Sequence, residues 1–93
     1  DDYKTLEFVV QRRNMGMGIV MDSASNVIFE LETGSTGLAA GLRVGDLVAM
    51  VDSTVVTVIE DGMVVPRAAV NSAIDPTRTE LKLTVFRPSS PPE

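Results

Sequence analysis

The apolar residues of this chain come in short runs that alternate or carry β-branched side chains, and glycine, proline or a polar turn closes each run. That punctuation constrains the fold more than any other feature, because runs this short suit strands and leave little room for long helices. Residues 4–12 alternate early and are β-branched late, residues 19–22 resume after a glycine pair, and residues 27–32 form a third run. Residues 47–56 are the longest, residues 57–65 carry Asp61-Gly62 between two β-branched halves, and residues 80–86 alternate cleanly. Aspartate–glycine between such halves predicts a short hairpin. Two stretches read as helix. In residues 33–41, Ser35 or Thr36 suits an N-cap, Ala39 and Ala40 favour helix, and Gly41 suits a stop. Residues 66–74 open on proline, and Pro66, Val70, Ala73 and Ile74 fall on one helical face. The expected class is α+β or mainly β: a small antiparallel sandwich of about five or six strands with two helices, or a partly open barrel.

The chain has 93 residues, enough for one core, and 44% of them are hydrophobic, so it is expected to be globular. A net charge of -5 with only 4% aromatics argues against nucleic acid, which asks for a basic face or stacking rings. With no cysteine and no histidine there is no disulfide, no thiol or imidazole catalyst and no thiolate or histidine metal site. Asp22, Asp46 and Asp52 lack a partnering base or nucleophile and read as solvated or turn-forming. No enzyme, metal or cofactor is expected. No apolar run approaches the ~20 residues that span a bilayer. Residues 3–87 form the expected domain and residues 88–93 a proline-rich linker or tail, the whole resembling a segment of a longer protein.

Gly16-Met17-Gly18-Ile19 admits two readings. One is a tight turn, with glycine supplying positive φ. A dinucleotide site is excluded, since Met21 stands where the third glycine belongs and a strand follows. The other is an anion-binding nest, in which glycine-spaced backbone N–H groups converge on one point. Met17, Ile19 and Met21 share parity and would wall an apolar pocket beneath it. A carboxylate above an apolar side chain describes a peptide C-terminus.

Here the chain resembles the PDZ domain family. Arg12, three residues, then Gly16-Met17-Gly18-Ile19 is similar to that family's carboxylate-binding loop, and Gly34 to Asp46 ("GSTGLAAGLRVGD") is similar to a second family signature. The resemblance implies a β-sandwich with two helices. A partner's C-terminal peptide would add as an antiparallel strand between the second strand and second helix. The amides of Met17, Gly18 and Ile19 would hold its carboxylate, with Arg12 reaching it through water. Met17, Ile19 and Met21 would line the pocket.

The sequence departs from the family at the second helix, where many members carry histidine. If Pro66 is the first helical position, Val70 lines the groove and Ala73 closes the pocket. If Arg67 is first, those places fall to Asn71 and Ile74. Either way a hydroxyl-reading imidazole is missing, and an apolar pocket of Pro66 and Val70 facing Val20 or Met21 favours C-termini ending apolar–any–apolar. The expected protein is a monomeric, scaffold-type interaction module, cytoplasmic or held by partners at the inner face of a membrane, without inserting into it. The alternatives are a regulatory domain of a protease, or a module that binds internal peptides or itself.

Overall fold

A computed structural model describes residues 3–12, 18–22, 24–75 and 77–88, and for Asn71 the backbone alone. The chain is mainly β, with antiparallel sheets and very little helix. Its elements are β1 (Tyr3–Gln11), β2 (Ile19–Met21), β3 (Ile28–Leu31), α1 (Thr36–Ala40), β4 (Leu47–Val51), β5 (Thr54–Val55), β6 (Thr57–Glu60), β7 (Met63–Pro66), α2 (Val70–Ala73) and β8 (Glu80–Pro88). Strands β1, β8, β4 and β5 make one four-stranded sheet in that order. Two ribbons, β2–β3 and β6–β7, stand beside it, the first joined to β4 by one antiparallel bridge, Val27 to Leu47.

β8 organises the core. It pairs antiparallel with β1 along its whole length and with β4 on its other side. Leu81, Leu83 and Val85 are fully buried at alternate positions, with Thr84 between the last two buried as well, and they meet Val10, Ile28, Val48, Val51, Val56 and Val70 in one cluster. Burying each such side chain contributes about 1.5–3 kcal/mol.

Local chemistry sets the ends of α1. Ser35 caps it, its hydroxyl accepting from the Leu38 N–H at 3.2 Å. Past Gly41 the N–H groups of Gly41 and Leu42 donate back to Leu38 and Gly37. The Asp61-Gly62 hairpin forms as expected. Both residues have positive φ, 53° and 76°, as the favoured two-residue hairpin turn requires.

Three expectations need correction. The described residues form eight strands rather than about five or six, because residues 47–56 break at a turn and residues 57–65 fold into their own ribbon. At that break Asp52 has φ 53°, and its carboxylate accepts the Lys82 N–H at 3.0 Å. The last strand runs to Pro88, two residues further than expected; the rest of the tail, 89–93, lies outside the described residues. Most consequential, residues 66–74 are not a two-turn helix. Pro66 ends β7, paired with Thr57, and the N–H groups of Arg67 and Ala68 both donate to the Val56 carbonyl, at 2.7 and 3.2 Å. That capture holds the chain extended until Ala69, which caps α2 without a side-chain acceptor. α2 is a single turn, extended again at Ile74.

Candidate functional site

β2 is three residues long and, among the described residues, has one partner, β3. The Gly18 carbonyl accepts the Glu32 N–H and the Asp22 N–H donates to the Val27 carbonyl, each at 2.9 Å. The Gly18 carbonyl and the Asp22 N–H thus face β3, and so does the backbone of Val20, paired with Glu30. Backbone alternation turns the N–H and C=O of Ile19 and Met21 the other way, off the open edge. Their side chains pack half-buried against the core, while Val20 points to the opposite face. The edge therefore carries backbone donors and acceptors above an apolar floor.

Of the nest, Gly16 and Met17 lie outside the described residues. Gly18 has φ +70°, and a Cβ built there would stand 2.2 Å from the Ser35 Cβ. Glycine is needed at this point on two counts, backbone conformation and close approach to the cap of α1. Arg12 is placed differently from the sequence-based expectation. Its guanidinium donates to the carbonyls of Asp75 and Arg78, at 3.2 and 3.0 Å, and its own N–H donates to the Thr79 carbonyl. It fastens the end of β1 to the turn before β8. In the same turn Thr77 donates two hydrogen bonds to the Asp75 carboxylate, holding its pKa below the ordinary value, with help from Arg78 and Arg12.

The helical positions separate into wall and core. Val70, a groove residue in the Pro66 register, is a core residue, 4% exposed. Ala73 and Ile74 are half-buried and pack against the same cluster as Ile19 and Met21. Pro66 is exposed within β7, and Arg67 pairs with Glu60 across that ribbon, so neither heads a groove helix.

Two features escaped sequence reasoning. Asn26 is buried with φ 63°, and its amide donates to Val56 O, Thr57 Oγ1 and Ala68 O, at 3.3, 2.9 and 2.9 Å. It ties the β2–β3 turn to the segment that leads into α2. The second is an open depression of about 700 Å³ beyond the end of β2, lined by Met21, Asp22, Ser25, Val27 and Phe29. Val27 and Phe29 at one parity, flanking buried Ile28, were the available signal: a strand apolar on both faces.

Beside β3, where its backbone carbonyl accepts the Ile28 N–H at 2.8 Å, Asp46 is buried, 1% exposed, and its carboxylate accepts two hydrogen bonds from Arg87, each at 2.8 Å, and one from the Arg43 N–H. Arg87 also donates to the Gly41 carbonyl and lies over the Phe8 ring. The Asp46 bonds raise its pKa further. Turn-forming was the right expectation for Asp46; solvated was not. Its carboxylate is fully engaged in holding the fold. Asp22 accepts the Ala24 N–H and shapes the turn after β2.

Among the described residues no three acidic groups converge into a metal site, and no helix is long and apolar enough to cross a membrane. No family model matches the chain, and no curated protein matches it.

Proposed function

We propose that this chain is a PDZ-like interaction module that takes the C-terminal peptide of a partner protein as an added strand on β2. The observation that carries the reading is the open edge of β2. Among the described residues, the N–H and C=O groups of Ile19 and Met21 point outward with no partner strand, while their side chains sit on the apolar core face. In an antiparallel peptide the last residue lies opposite Ile19 and the third from last opposite Met21, with Ala73 and Ile74 as the facing wall. The amides of Met17, Gly18 and Ile19 receive the carboxylate. Arg12, bonded to the carbonyls of Asp75 and Arg78, contributes its charge rather than a contact. With no histidine to read a hydroxyl and only apolar floor residues, C-termini ending apolar–any–apolar suit the site. The module is non-enzymatic and monomeric in this reading.

Calorimetry with matched free-acid and amidated peptides tests it. Amidation removes the charge and turns an acceptor into a donor facing donors, so affinity should fall at least about tenfold. Equal binding of the two would make the domain a reader of internal segments. Substituting Gly18 would not serve, since a side chain there disturbs the cap of α1 before it meets any ligand.

A further inference from the structure

We infer that Asn26 is a positioning residue for peptide binding. Its buried amide holds the start of α2 at a fixed distance from the end of β2, so the cleft between them stands open before a ligand arrives. The inference rests on the reading of β2 as the docking edge. Asn26 reaches both walls of that cleft. Its N–H donates to the carbonyl of Asp22, the residue after β2, at 2.7 Å. Its amide donates at 2.9 Å to the carbonyl of Ala68, one residue before the N-cap of α2, and also to Thr57 Oγ1 and the Val56 carbonyl. Its own carbonyl accepts the Val48 N–H at 3.0 Å, which foots this strut on the four-stranded sheet.

α2 needs such a strut. It is four residues long with no side-chain cap, too short to hold its own conformation. Val70 is the one buried side chain among those described in it. The choice of residue points the same way. A φ of 63° suits glycine, which would bury no polar side chain. Asn26 buries an amide instead, and its Oδ1 has no hydrogen-bond partner among the described residues. That desolvation cost is set against the bonds its nitrogen makes to the segment leading into α2. Asn26 is itself sealed from solvent and cannot touch a ligand. Its effect on binding must therefore pass through the fraction of time α2 is in place. Apparent affinity falls with that fraction, and the loss appears in association rather than in dissociation.

Asn26→Gly tests it, because glycine keeps the backbone conformation and both backbone bonds and removes only the amide. A synthetic free-acid peptide ending apolar–any–apolar should bind this variant about tenfold more weakly, through slower association. Without peptide, NMR order parameters of the α2 amides should fall from about 0.85 to below about 0.6, while those of β8 hold. Leu83→Ala, a larger loss of stability in the four-stranded sheet, should leave the affinity of the folded protein unchanged. Thr57→Val removes one acceptor and keeps the shape. It should slow association about two- to threefold, and it serves as the test if Asn26→Gly does not fold. Unchanged affinity in Asn26→Gly would overturn the inference, as would a loss carried by dissociation or an equal loss in Leu83→Ala. If the unaltered protein binds no peptide, the edge reading falls instead. The strut is then judged by the order parameters alone, and rigid α2 amides in Asn26→Gly would overturn it.

Discussion

In the β1-β8-β4-β5 sheet the side chains of Leu81, Leu83, Val85, Val48 and Val51 are sealed from solvent, whereas every residue of β2 is half-exposed. The Asp46–Arg87 pair closes one end of that sheet, while among the described residues the β2–β3 ribbon keeps one edge without a partner strand and an open depression beside it. Stability is concentrated in one region and the proposed docking edge lies in the other. Unpaired strand edges are a liability in a folded protein unless they are short or used. Here the open edge is three residues long, and the sheet behind it carries the core without that edge.

The largest expected effect tests that division directly. Leu83→Ala should cost about 3–4 kcal/mol in urea denaturation, as a fully sealed leucine leaves a cavity, whereas Ile19→Ala in half-exposed β2 should cost about 1 kcal/mol. Equal losses would make the ribbon part of the core and end the contrast. Next comes Asp46→Ala, expected to destabilise by about 2–3 kcal/mol. Arg87 loses its carboxylate but retains 18% exposure, which softens the penalty of a stranded charge. The exposed Glu7–Lys82 pair on the same sheet supplies the control, where Lys82→Ala should change stability by less than about 0.5 kcal/mol.

A smaller effect sharpens how the ribbon is held. Gly18 and Gly34 both have positive φ, yet an added Cβ meets Ser35 at Gly18 and open space at Gly34. Gly34→Ala should therefore cost about 1 kcal/mol for conformation alone and Gly18→Ala about 2 kcal/mol or more, read from thermal melts. Matching losses would mean that α1 yields freely to the ribbon. The smallest concerns Asp75, at the turn fastened by Arg12. Its pKa is lowered in the folded chain, so its contribution is present above the unfolded value near ~4 and disappears as pH falls through the lower folded one. The melting-temperature gap between the protein and Asp75→Ala should thus be small at neutral pH and close in acid. A gap that widened in acid would reverse the sign.

What the sequence disclosed follows from how local each determinant is. Asp61-Gly62, the Ser35 cap and the Gly41 stop act within a few residues, and all three are legible. The alternation of Leu81, Leu83 and Val85 announces a half-buried strand, although not that both its neighbours would be β1 and β4. The misread helix at Pro66 shows the limit. Proline suits a helix start, but the Val56 carbonyl, ten residues earlier, takes the N–H groups that would have begun it. Nothing near Asp46 points to Arg87, since the pair joins residues 41 apart. At the candidate site the parity of Ile19 and Met21 was readable. The openness of the β2 edge was not, because it depends on which strands pair elsewhere.

Asn26 bears on the order in which such a chain assembles. Its amide bridges sequence separations of 31 and 42 residues, to Thr57 and Ala68, and joins them where the Val56 carbonyl already gathers two backbone donors. Closing loops of that length carries an entropic cost that local turns do not, so the knot forms only after distant segments have met. The hairpins and α1 are short-range and suited to form early. α2, a single turn with no side-chain cap of its own, is fixed in place through this knot and through Val70. α2 is thus held by long-range contacts, which form after the local turns during folding.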